Sequence, residues 1–91
     1  MIEAKAGSQV QILSFEGYPI CKARLTGIFW DSVFNRWLYV VVPMETRKGY
    51  EAGTEDTAHR VMPCAAVRWL EKGMRFAPRP YKVAADLPII K

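Results

Sequence analysis

Polar and apolar residues alternate along Ser8-Gln9-Val10-Gln11-Ile12, the period-two pattern of a strand with one buried face. Glu16-Gly17-Tyr18-Pro19 breaks the pattern with turn-forming residues. A second strand is predicted over residues 20–30, with Ala23, Leu25, Gly27 and Phe29 on one face and Lys22, Arg24, Thr26, Ile28 and Trp30 on the other. Gly27 sits in mid-strand, where a missing side chain points to a close backbone approach or a bend. Asp31-Ser32-Val33-Phe34-Asn35 supplies the next turn, and Arg36-Trp37-Leu38-Tyr39-Val40-Val41-Val42 is the strongest β signal in the chain. Its unbroken apolar character predicts burial on both faces, and Pro43, which has no N–H to give to a ladder, ends it.

Residues 44–57 are polar, contain two glycines and have no periodicity, so an exposed loop or hairpin extension is expected there. A short strand follows over residues 59–62, then a single 3₁₀ turn over Pro63-Cys64-Ala65-Ala66, then a return to strand over residues 67–70. No segment carries the 3.6-residue period of a helix of ten or more residues, and no internal repeat is visible. Five short strands with a long loop before the fourth and a one-turn helix before the last resemble the SH3-like small β-barrel, the architecture of Tudor and KOW modules. The resemblance implies an all-β, five-stranded SH3-like barrel with a 3₁₀ turn before the last strand and an extended C-terminal tail. Residues 1–70 would form the barrel, with its core in 8–70, and residues 71–91 a basic, proline-containing arm. The expected core is Val10, Ile12, Leu25, Phe29, Leu38, Val40, Val42, Val61 and Val67, with Cys64 beside them.

Two stretches are similar to the plasmid-encoded type II dihydrofolate reductases, small barrels that assemble as tetramers around a central pore. Ala23-Arg24-Leu25-Thr26-Gly27-Ile28-Phe29, ahead of Trp37-Leu38-Tyr39-Val40, resembles that family's second and third strands, and His59-Arg60-Val61-Met62-Pro63-Cys64-Ala65-Ala66-Val67 resembles its Val-Gln-Ile-Tyr-Pro-x-x-Ala-Leu segment. The resemblance would put Arg60, Val61 and Met62 at positions that line the pore and bind folate and NADPH. Arg60 stands where the family has glutamine and Met62 where it has tyrosine. A ring of four arginines would attract anions but would not reproduce an amide that pairs with pteridine and nicotinamide.

At 91 residues the chain has room for one core, and 51% hydrophobic with 24% charged residues is the composition of a folded domain rather than a disordered segment. No apolar run reaches the length of a membrane helix and the first residues lack a signal-peptide layout, so a soluble, cytoplasmic protein with no membrane partner is expected. Cys21, Cys64 and His59 are too few for a four-ligand zinc site and have no CxxC spacing, and no glycine-rich phosphate loop or HExxH motif occurs. No metal, cofactor or catalytic residue is expected. The two cysteines read as reduced, small core hydrophobes and His59 as a solvated loop residue.

Charge changes the picture only at one end. Residues 1–67 hold seven basic and seven acidic side chains, whereas residues 68–91 hold six and two, so the whole net charge of +4 belongs to the C-terminal segment. Basic residues there interleave with aromatics and would suit phosphate neutralisation and base stacking. Lys22, Arg24, Arg68, Lys72, Arg75, Phe76, Arg79, Tyr81 and Lys82 are the candidates for nucleic acid. The end of the chain, Leu87-Pro88-Ile89-Ile90, is too apolar to be solvated and should dock in a groove of its own barrel or of a neighbouring chain. Trp30, Phe34, Trp37 and Tyr39 cluster around the second turn, a pattern of core plus rim that with Asp31 could also cage a methylated cation. The leading expectation is a non-catalytic module for protein binding or homo-oligomerisation, with Trp30, Trp37, Tyr50, Leu87, Ile89 and Ile90 as candidates. Nucleic-acid binding and a reductase-like pore enzyme are the alternatives.

Overall fold

The computed structural model describes residues 1–68 and 77–91, and these form an all-β chain. The strands are β1 (Ile2–Ala4), β2 (Gln9–Leu13), β3 (Pro19–Asp31), β4 (Arg36–Pro43), β5 (Asp56–Ala58), β6 (Val61–Pro63) and β7 (Tyr81–Val83), with one 3₁₀ turn at Cys64–Ala66. Five of them make a sheet in the order β5-β4-β3-β2-β6, every neighbouring pair antiparallel, while β1 and β7 form a separate parallel pair. Among the described residues β5 and β6 remain edges and the larger sheet does not close on itself. The strand expected at 67–70 is not seen in its described part: Pro63 ends the pairing of β6 with β2, the 3₁₀ turn redirects the chain, and Val67 and Arg68 leave the sheet. Residues 69 and 70 lie outside the described residues. No described helix is long and apolar enough to cross a membrane.

A bulge in β3 decides what each half of that strand faces. Leu25 pairs with Val41 but Gly27 pairs with Val40, so Thr26 is an extra residue with no partner of its own, and its hydroxyl donates to the Val40 carbonyl at 3.1 Å. Since Val40 and Val41 point to opposite faces of β4, Leu25 and Gly27 must also lie on opposite faces. The uninterrupted alternation expected for residues 20–30 therefore fails at Thr26. Cys21, Ala23, Leu25 and Val41 enter the main core with Val10, Ile12, Ala58 and Val61, and beyond the bulge Ile28 and Tyr39 continue that face. Phe29, expected in the core, is instead on the far side with Gly27 and is exposed, while Val42, Val67 and Cys64 are only half-buried. Leu13, Met62 and Ala66 form a second cluster under Ile2, Val67 and Tyr81.

The two ends of the chain are built into this body. Ala84 N–H donates to the Ala4 carbonyl at 2.8 Å, extending the β1–β7 pair, and Leu87 is buried in the main core. The segment after Leu87 runs beside β3. Ile28 N–H donates to the Pro88 carbonyl and Ile90 N–H to the Ile28 carbonyl, both at 2.8 Å. A Cβ on Gly27 would lie within contact-violating distance of the Pro88 carbonyl oxygen and 2.9 Å from Ile90 Cδ1. The mid-strand glycine is thus explained by close approach of the chain's own C-terminal segment.

Candidate protein-binding site

The distal halves of β3 and β4 run on as a two-stranded hairpin, paired to Trp30–Trp37 and Asp31–Arg36. The connection is pinned by polar contacts: Asp31 Oδ1 accepts the Val33 N–H at 3.1 Å, and Asn35 takes the left-handed conformation (φ 51°) that closes the turn. Arg36 Nε lies 3.4 Å from Asp31 Oδ2, and the same guanidinium stacks over Phe34, 4.8 Å from the ring centroid. Trp30 and Trp37 meet edge to face with centroids 5.2 Å apart.

These contacts fix the backbone of the tip but do not cover it. Phe29 is 37% exposed, Trp30 42%, Val33 80%, Phe34 68% and Trp37 50%. Trp30 and Trp37 on one face of the hairpin, with Val33 and Phe34 in the turn between them, leave apolar surface with no cover among the described residues, the arrangement of an interface rather than of a solvated turn; Phe29 lies on the opposite face, where it lines a concavity with Ile90. Of the cation-cage residues, two already meet a cation of the chain itself. The Asp31 carboxylate and the face of Phe34 are both engaged by Arg36.

The remaining candidates separate. Tyr50 is half-buried against the core with its hydroxyl donating to the Thr57 carbonyl at 3.4 Å, Leu87 is buried, Ile90 is half-buried over Gly27, and Ile89 is exposed. Val33 and Phe34 join Trp30 and Trp37; Phe34 was expected in the aromatic cluster but not among the protein-binding candidates, and Val33 in neither. Their signal lay in the sequence: two large apolar residues inside a turn of aspartate, serine and asparagine have no core to enter.

Among the basic candidates, Lys22, Arg24, Arg68 and Arg79 are exposed, but Arg24 Nη1 donates to the Gly7 carbonyl at 2.7 Å and Lys82 Nζ pairs with Glu3 at 3.3 Å. Tyr81 packs against the second cluster instead of standing free to stack. Lys72, Arg75 and Phe76 lie outside the described residues. Val61 is buried in the main core and Met62 in the second cluster, so of the three pore-like positions only Arg60 reaches solvent.

Of two small concavities, one adjoins the hairpin and the other lies at the opposite end of β3. The first, of about 180 Å³, is lined by Phe29, Val40, Ile90, Lys91 and residues 55–57. The other, of about 210 Å³, is lined by Leu13, Phe15, Ile20, Tyr50 and His59, with the Phe15 and His59 rings in tilted contact, centroids 4.8 Å apart. Both cysteines are free, and burial pushes each thiol up from its ordinary range, so they stand as neutral thiols rather than as thiolate nucleophiles. Compared with known proteins, the chain matches no family model, no curated protein and no solved structure.

Proposed function

We propose that this chain is a non-catalytic binding module on an SH3-like small-barrel frame, and that it self-associates through the aromatic tip of the β3–β4 hairpin. The observation that carries the proposal is the pinned, uncovered apolar surface of Trp30, Val33, Phe34 and Trp37. A second copy supplies the partner chemistry such a patch requires: flat aromatic faces to bury, with Arg36 and Asp31 placed to rim the contact. In favour of the frame, β2 pairs with both β3 and β6, so a strand late in the chain returns beside the first strand of the sheet, as it does in small barrels. The unbridged Cys21 and Cys64 suit a reducing, cytoplasmic setting.

Sedimentation velocity over a concentration series tests the proposal. The unaltered chain should associate in the micromolar range, and Trp37→Glu should weaken association by about tenfold or more while leaving a folded monomer. A chain that stays monomeric at every concentration, or a Trp37→Glu chain that associates as well as the original, would refute self-association through the tip. Association that appears only with added mixed-sequence DNA or RNA and vanishes with salt would replace it with the nucleic-acid alternative.

A further inference from the structure

The free side of β3 beyond β2 is a place where a strand can be added. β2 covers β3 only from Pro19 to Arg24, whereas β4 follows it to Asp31, so the residues past the bulge have one edge with no sheet neighbour. Such an edge is a template for another extended chain. In the structure the chain's own residues 87–90 lie there, held by a single parallel bridge between Ile28 and Ile89, two backbone hydrogen bonds and the buried Leu87 side chain. Gly27 makes room: the three atoms nearest to a Cβ placed on it all belong to Pro88 and Ile90. Two residues further on, Trp30 turns its N–H and C=O toward the same edge by the alternation of the strand, and no described atom of residues 87–91 bonds to them.

From this we infer that the β3 edge at Gly27–Trp30 is a docking groove for an extended apolar peptide strand of another protein, occupied in the isolated chain by residues 87–90 as a built-in ligand. The partner's chemistry is read from the resident segment. A leucine fills the core opening, a proline carbonyl accepts from Ile28 N–H, and two β-branched residues lie along the strand, one of them over Gly27. A partner strand that runs past the position of Ile90 in the same parallel direction would also engage Trp30, which the resident segment does not. That extra pairing is what lets it compete with a tethered segment whose effective concentration is on the order of millimolar.

The test uses the full chain and a fluorophore-labelled peptide of residues 85–91, followed by anisotropy. Leu87→Ala and, separately, Ile90→Pro loosen the resident segment; the second removes the donor to Ile28 without touching the core and so decides the matter if the first fails to fold. Each folded variant should bind the peptide about tenfold or more tightly than the unaltered chain, and adding Gly27→Val should abolish that gain. Equal affinity for the unaltered chain and a folded Ile90→Pro chain, no measurable binding to that folded variant, or a gain that survives Gly27→Val, would each overturn the assignment. These outcomes read peptide binding at the Gly27 edge with the tip side chains unaltered, whereas self-association is read by sedimentation, so the two proposals fail separately.

Discussion

The hairpin tip and the C-terminal segment are both apolar stretches at the margin of the sheet, yet one is covered and the other is not. Leu87 enters the core and Ile90 lies over a glycine, whereas Trp30, Val33, Phe34 and Trp37 remain exposed. Hydrophobicity does not separate them. The difference lies in what β3 offers each: beside Gly27 there is an unpaired backbone edge and space without a side chain, so a strand can come close and exchange hydrogen bonds. Beyond Ile28 the hairpin runs past β2 and past β5, and among the described residues Trp30 and Trp37 remain exposed. A segment that finds both an edge and a gap is absorbed into the fold; one that projects beyond the sheet keeps its apolar surface for something else.

Substitutions of graded severity can break this contrast. The largest effect is expected from Leu25→Ala, whose side chain is fully buried; a loss of about 2–5 kcal/mol in urea denaturation should collapse tip and C-terminal segment together. Gly27→Val should act on one side only, costing about 1–3 kcal/mol as the segment is pushed off, with faster hydrogen exchange at Ile28 and Ile90 and none of the change at Trp30–Trp37. If exchange at the tip rises equally, the two regions are not independent.

Alkaline pH bears on the shared core. Burial raises the thiols of Cys21 and Cys64 above 9.0 and the hydroxyls of Tyr39 and Tyr50 above 10.0. The unfolded chain therefore gives up these protons first, and stability present below about pH 9 should fall as pH rises through the raised values. Denaturation midpoints at about pH 7 and about pH 10.5 check the sign. The smallest effect is expected for Arg36→Ala. Its ion pair with Asp31 is partly exposed, so stability should change by no more than about 1 kcal/mol, while the Phe34 ring loses its cation and the turn loosens in NMR relaxation.

Much of the sheet was legible in the sequence because its signals are local. The alternation over Ser8–Ile12, the turn residues at 16–19 and 31–35, the apolar run before Pro43 and the 3₁₀ turn near Cys64 each match what the described residues form. The faces of β3 were not legible. A one-residue bulge at Thr26 arises from pairing with β4 and reverses every side chain after it, which is why Phe29 leaves the core. The β1–β7 pair was missed for a related reason: each strand has three residues, too short to show a period, and they meet only across the whole chain. Gly27 marked a close approach correctly, but its neighbour, Pro88, is 61 positions away and could not be named from spacing. At the site, Trp30, Phe34 and Trp37 were visible as an aromatic cluster and Val33 as an apolar residue inside a polar turn, whereas the extent of their exposure depends on how far the hairpin outruns the strands beside it.

The most direct test of the contrast is a concentration series of amide NMR spectra on the unaltered chain, from about 10 μM to about 1 mM. Resonances of residues 29–38 should shift or broaden with concentration while those of residues 87–90 stay fixed, because of the two regions it is the tip whose aromatic surface is left uncovered. Spectra that do not change at residues 29–38, or that change first at residues 87–90, would contradict the account.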